Sequence, residues 1–320
     1  MALRWLRSTL PVAVLALPLL AAAPTDTPLR FASPEAATQA LFDATRNDDT
    51  ARLVAIFGKP GMQIVDAGDP LANRISREKF ATAYNAKHNI ETKGETATLS
   101  IGNDDWPFPI PLKHEKSGWS FDAAAGREEI LDRRIGANEL YTQQVALAYV
   151  DAQNEYVSRL HDGLKVHVYA QRLLSSPGKQ DGLYWPAAEG QPQSPLGALV
   201  AEAQASGYHP GASAEPQPFH GYFFRVLQAQ GSHAPGGAYD YVANGLMLGG
   251  FGLVAWPAQW ANTGVMTFIV NQDGVLYQAN LGPNTAQIAK AMTRFDPDKR
   301  WQKIGTPAPV AGAAETEGGG

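Results

Sequence analysis

Glu95-Thr96-Ala97-Thr98-Leu99-Ser100-Ile101 alternates polar and apolar side chains with a period of two, the pattern of a strand with one buried face. Downstream, Trp106 to Leu112 must be extended too, because Pro107, Pro109 and Pro111 forbid helix there. Trp119-Ser120-Phe121 follows the turn residues Ser117-Gly118 and returns to pair with that segment. Upstream the period is helical. Ser33-Pro34-Glu35 offers a capping hydroxyl, a proline whose missing N–H costs nothing, and an acid in the first turn. Ala37, Ala40, Leu41 and Ala44 then recur at helical spacing until Asn47-Asp48-Asp49 interrupts them. Leu53, Ile56 and Phe57 mark a second helix ending near Gly58, and a third spans Arg77 to Ala86 with Phe80 and Tyr84 one turn apart. Helices followed by a curved antiparallel sheet make an α+β unit that runs to about Asp122.

The second half repeats this class in another order. Tyr141, Val145, Ala148, Ala152 and Tyr156 lie on one stripe, which predicts a longer helix from Asn138-Glu139 to the turn at His161-Asp162-Gly163. A loop-rich stretch from Ser175 to Pro218 carries a short helix near Leu196 to Ala205. Strands are expected at Tyr222 to Leu227, Leu253 to Trp256 and Val265 to Val270, and Val275 to Tyr277 returns after the turn Asn271-Gln272-Asp273-Gly274. A closing helix spans Thr285 to Thr293, and Gly305 to Gly320, rich in Pro, Ala and Gly, reads as a disordered tail. Gly249-Gly250-Phe251-Gly252 lacks the spacing of a dinucleotide fingerprint and reads as a strand bend.

The first residues point to export. Arg4 and Arg7 precede an apolar run from Leu10 to Leu20 and the small residues Ala21-Ala22-Ala23, the order of a signal peptide over residues 1–23. The run is short of the roughly 20 residues a spanning helix needs, so no membrane anchor is expected once the leader is removed. The sequence has no cysteine, so stability must come from burial alone, and a hydrophobic fraction of 44% supplies enough apolar side chain for it. The formal charge is −5, and no Lys and Arg cluster could neutralise successive phosphates, which argues against a nucleic-acid partner. A periplasmic or secreted protein follows from these features.

Four segments are distinctive: Asp104-Asp105-Trp106-Pro107-Phe108-Pro109, Gly182-Leu183-Tyr184-Trp185-Pro186, Pro235-Gly236-Gly237-Ala238-Tyr239-Asp240-Tyr241, and Met266 to Gly274. Through them, from Phe31 to Ile304, the chain resembles an exported bacterial family called domain of unknown function 2950 (DUF2950). Two further likenesses concern the fold. The helices and curved sheet of the first half resemble the cystatin-like cone of nuclear transport factor 2. The second half, with its helix beginning Asn-Glu and strands such as Tyr222-Phe223-Phe224, is similar to the head of type II secretion pseudopilins. Pseudopilins begin that helix as a membrane-spanning assembly segment, whereas a polar domain precedes it here. The resemblance therefore implies a cone-like α+β domain over residues 24–134 and a pseudopilin-head-like one over 135–304, joined near Arg133-Arg134-Ile135-Gly136.

No nucleophile elbow, zinc helix or phosphate loop occurs, so no cofactor is implied. His88, His114, His161, His167, His209, His220 and His233 are scattered without metal-ligand spacing, so no metal site is read. Asp104, Asp105 and Trp106 could form a ligand ledge, with one carboxylate serving as a base if aimed into a cavity, or simply a turn with its aromatic packed down. Tyr184, Trp185, Tyr239, Tyr241 and Trp256 sit in or beside Gly and Pro-rich loops, where they either anchor a partner or plug the core. The leading expectation is a non-catalytic envelope protein that binds another envelope protein or a cell-wall component. The alternatives are a hydrolase working in the first domain's cavity and an accessory of a secretion or pilus-like machine.

Overall fold

The computed structural model describes residues 27–188, 190–209 and 216–305. The leader expected over residues 1–23 lies outside the described residues, as does the tail expected over 305–320 apart from Gly305. The described chain is α+β.

Helix α1 (Pro34–Arg46) starts as its sequence dictates, with the Ala36 N–H donating to Ser33 Oγ at 3.2 Å. Its Ala37, Leu41 and Ala44 are buried. Asp48 then takes a left-handed conformation, and Asp49 caps α2 (Thr50–Phe57), which ends at Gly58. A single turn, α3 (Met62–Val65), precedes α4 (Pro70–Ala86). Helix α4 begins at Pro70 rather than at the expected Arg77, because Asp69 caps its first turn and Pro70 fits its first position.

Strands β1 (His88–Lys93), β2 (Thr96–Ile101), β3 (Trp106–Pro107), β4 (Leu112–Glu115) and β5 (Gly118–Phe121) form an antiparallel sheet in the order β1-β2-β4-β5, with β3 also on β2. Ala97, Leu99 and Ile101 of β2 face the core in the expected alternation. Strand β1 escapes the pattern because it is an edge, with only Ile90 partly buried, so no alternation is required of it. The expected extended run from Trp106 to Leu112 is broken between β3 and β4, where Pro109 and Pro111 can donate nothing to a ladder. Ile110, Leu112 and Phe121 pack against Ala37, Leu41, Ile56 and Phe57, forming the core of this half.

Helix α5 (Ala123–Val157) is capped by Asp122 and runs unbroken for 35 residues, through the expected joint at Arg133 to Gly136 and past the expected start at Asn138. Its first turns bury Ala123 in the core of the first half and Gly126 against Pro109 and Ile110, while Ala146, Tyr149, Val150 and Tyr156 belong to the second half's core. Between Arg127 and Tyr141 no side chain is fully buried. Polar bonds hold that stretch instead. Arg134 donates to Gln63 O, Ile64 O and Asn262 Oδ1, Asn138 donates to Thr263 O, and Glu139 Oε1 accepts the N–H groups of Val265 and Met266.

Beyond α6 (Gly197–Ala205) come β6 (Tyr222–Leu227), β7 (Ala229–Gln230), β8 (Tyr239–Asp240), β9 (Val242–Ala243), β10 (Leu246–Met247), β11 (Gly252–Pro257), β12 (Met266–Asn271) and β13 (Tyr277–Asn280). Helix α7 (Thr285–Ala291), β14 (Arg294–Phe295) and β15 (Gln302–Lys303) complete the chain's described part. The main sheet runs β15-β13-β12-β11-β6, with small sheets β14-β7-β8 and β9-β10 beside it. Strand β13 starts at Tyr277, later than expected, since Leu276 turns into the core and its carbonyl accepts the Ile304 N–H. All six residues of β11 are buried, because both sheet faces are covered. Tyr149 and Val150 of α5 lie on one face against Leu253, Ala255 and Phe268, and Ala289, Phe295 and Trp301 lie on the other. Among the described residues no helix is long and apolar enough to cross a membrane.

Two glycines of α5 give opposite expectations. A Cβ at Gly126 would stand 2.6 Å from Pro109 O and 2.8 Å from Ile110 Cα, whereas a Cβ at Gly136 would meet nothing within 4 Å. Gly136→Ala should stabilise the protein by about 1 kcal/mol through helix propensity, and Gly126→Ala should destabilise it by about 1–3 kcal/mol through overpacking. Urea-unfolding midpoints of the two variants check both signs.

Candidate functional site

Asp69 is 2% exposed, and its two carboxylate oxygens divide their work between the halves of the molecule. Oδ1 accepts the N–H groups of Leu71 at 3.1 Å and Ala72 at 3.0 Å, starting α4. Oδ2 accepts the Tyr208 hydroxyl at 2.8 Å and the Gly221 N–H at 3.2 Å, both from the second half. Burial, followed by the charge of Asp69, pushes the Tyr208 phenol far above its ordinary value, so it remains a donor.

His220 sits beside this pair in a left-handed conformation, φ +47°, that is uncommon for a residue with a side chain. Its N–H donates to Tyr208 Oη at 3.3 Å, and its ring lies 4.0 Å from that of Tyr141, 4.7 Å from Phe219 and 5.2 Å from Tyr208. Burial lowers the imidazole from its ordinary 6.5, and Lys79 pushes the same way, while Asp69 and Glu202 oppose both. The next residue, Gly221, also has positive φ, and a Cβ there would meet Asn138 Nδ2 at 2.7 Å and Thr263 Cβ at 2.9 Å. Glycine at 221 is what lets the loop lie this close to α5.

A cavity of about 490 Å³ opens from this point into the first half. Leu41, Leu53, Phe57, Val65, Phe80 and Phe108 supply its apolar lining, and Asp69, Asn138, Tyr208 and His220 are among its polar groups. Lys79, Arg77 and Arg134 also line it. Asp69 and Tyr208 form a wall shared with a second cavity of about 710 Å³, bounded by Val145, Tyr149, Leu199 and Phe224. Such volumes fall in the roughly 300–1,000 Å³ range of small-molecule sites.

The residues singled out in the sequence lie elsewhere. Asp104 and Asp105 are exposed in the turn between β2 and β3, Asp105 pairs with Lys87 at 2.6 Å, and neither lines the two cavities described. Neither therefore supplies a base to these two cavities. Trp106, 39% exposed, lies under the Arg133 guanidinium at 5.4 Å and edge-on to Phe108 at 6.4 Å. Tyr184 and Trp185 are half-buried against the core of the second half, Trp185 edge-on to His161 at 5.8 Å. Tyr239 is 36% exposed and accepts from Gln272 Nε2 at 3.3 Å. Tyr241 corrects the surface-anchor reading: it is wholly buried, and its hydroxyl donates to Gln230 Oε1 at 3.1 Å. Trp256 is likewise buried, 5.7 Å from Phe223. Among the described residues no three His, Asp or Glu side chains converge as a metal site requires.

Asp69, Tyr208 and His220 are what sequence reasoning missed. A cue existed for the first, since Asp69-Pro70 has the cap-then-proline form already read at Ser33-Pro34. Tyr208 and His220 give no local signal.

The shared carboxylate predicts coupling. Asp69→Ala should cost about 3 kcal/mol, combining a lost helix cap with charged hydrogen bonds, and Tyr208→Phe about 1 kcal/mol. The double variant should cost less than their sum, as a double-mutant cycle in urea would read. A second expectation concerns pH. Since the folded state holds the His220 proton less well than the unfolded chain, stability should be full above the ordinary value of 6.5 and fall as the pH drops through it. His220→Asn, which tolerates the left-handed backbone, should flatten that decline in unfolding midpoint against pH.

No curated protein and no solved structure matches the chain. A family model described as "Protein of unknown function (DUF2950)" matches residues 29–304, most of the chain, and by that match the protein belongs to the DUF2950 family.

Proposed function

We propose that this is an exported envelope protein that binds a small envelope molecule, such as a piece of a cell-wall component, without transforming it. The observation that carries the reading is the cavity of about 490 Å³, largely apolar in its lining and enclosed by residues of both halves, with Asp69, Tyr208 and His220 among its polar groups. Its position supports binding, because most of its lining comes from the first half and Tyr208, His220 and Gly221 of the second complete it. A non-catalytic role is favoured by the state of the buried acid. Both oxygens of Asp69 are occupied by four donors, so this carboxylate is spent on structure and holds no lone pair poised for a substrate proton. The recognition surface moves accordingly from the aromatic loops to the cavity, since Tyr241 is core and Tyr184 and Trp185 pack against it. Export rests on the basic and apolar order of the first residues.

Thermal-shift screening of the leaderless protein tests the reading, because a ligand at about 100 times its dissociation constant adds roughly 2.7 kcal/mol of stability. Ala137 is exposed and lines the cavity, so Ala137→Trp should block the entrance while leaving the fold intact. Hits that vanish in this variant support the proposal. A screen without hits, or hits indifferent to the tryptophan, would overturn it. Fractionation and N-terminal sequencing check the compartment: the envelope form should lack the apolar leader, and an intact, folded chain in the cytosol would contradict export.

A further inference from the structure

The charges lining the cavity are lopsided. Arg77, Lys79, Arg134 and the titratable His220 face a single carboxylate, Asp69, whose oxygens are already filled. Two of the cations are accounted for differently. Arg77 is paired with Asp48 and also donates to Thr50 Oγ1 and Val65 O. Arg134 is mostly buried, yet its hydrogen bonds go to the carbonyls of Gln63 and Ile64 and to Asn262 Oδ1, with no carboxylate in contact. Neutral acceptors take these hydrogen bonds and the Asp66 carboxylate acts on the charge only from beyond contact, which leaves positive potential in the cavity wall, where low-dielectric surroundings extend its reach. Lys79 and the ring nitrogens of His220 have no hydrogen-bond or ion-pair partner among the described residues.

We propose that the cavity takes an anionic amphiphile, with its apolar body against Leu41, Phe57 and Phe80 and its acidic group between Lys79 and His220. This deepens the binding reading above and rests on it. The apolar walls would bury the body at about 25 cal/mol per Å² of surface removed from water, and an acid at the mouth would give both unpartnered groups a charge-assisted acceptor. Protonation of His220 would add a second positive charge to the acid's site. The groups that act on this ring are Asp69 ahead of α4, Tyr208 and Glu202 from the α6 region, Tyr141 from α5 and Lys79 from α4. Glu202 is shared with the Tyr141 hydroxyl at 3.4 Å and does not line the cavity. Binding should therefore tighten as the pH falls.

Isothermal titration with ten-carbon probes that differ only at the head tests this: decanoate, decanesulfonate, decanol and decyltrimethylammonium. Both anions should bind at least about tenfold more tightly than decanol, the worth of one charged hydrogen bond, and the cation should not bind. Lys79→Gln and His220→Asn should each weaken the anions by about tenfold and leave decanol unchanged. Decanesulfonate, whose own charge does not titrate in this range, should tighten from about pH 7.5 to about pH 5.5, and His220→Asn should abolish that trend. Thermal melting of each unliganded variant verifies that it folds. Equal binding of decanol and decanesulfonate would overturn the assignment of an acid while leaving the cavity as a binding site. Failure of every ten-carbon probe, with library hits still blocked by Ala137→Trp, would overturn the amphiphile and again spare the site. Failure of probes and library together would remove the binding reading itself.

Discussion

A helix of 35 residues is about 52 Å long at 1.5 Å per residue, longer than either half of this molecule needs for its own core. Helix α5 is therefore the constraint on which the arrangement depends. Its ends are bound by apolar burial, Ala123 and Gly126 in the first half and Val145 to Tyr156 in the second. Its middle carries the polar bonds of Arg134 to α3 of the first half and of Asn138 and Glu139 to the segment leading into β12 of the second. With α5 unbroken, the orientation of one sheet relative to the other is set by helix geometry, and no linker is left to vary it.

Asp69 completes what α5 begins. A buried carboxylate is tolerable only when hydrogen bonds replace its water, and here α4 and the loop of the second half supply two donors each. The same group thus starts a helix, docks a loop and walls off two cavities. Because its oxygens are filled locally, the positive charges of Lys79 and Arg134 are left for whatever enters, and His220 adds a third only when it is protonated. Burial of the arginine without a carboxylate in contact costs stability that an apolar side chain would not.

Much of this architecture was legible. Ser33-Pro34-Glu35, the alternation of Glu95 to Ile101 and the apolar runs of β6, β11 and β12 specify their elements through local physics, so caps and periods sufficed. The middle of α5 was not, because its signal is polar. Between Arg127 and Tyr141 nothing is fully buried, no apolar stripe is needed, and Gly136 imitates a joint. Strand β1 was hidden for a related reason, being an exposed edge. The site was least legible. Asp69 and Tyr208 are 139 residues apart, and only the packed halves bring them within 2.8 Å. The aromatic loops misled because Tyr241 looks like a surface anchor in a Gly-rich setting, while its hydroxyl in fact finds Gln230 inside the core.

Amide hydrogen exchange along α5 tests the central claim most directly. If the helix is continuous and braced by Arg134, Asn138 and Glu139, amides from 131 to 139 should be protected as strongly as those from 145 to 153, opening only with the whole molecule. Rapid, independent exchange at Arg133 to Gly136 would mean a joint there. The two halves would then be free to reorient, and the shared cavity wall would lose its basis.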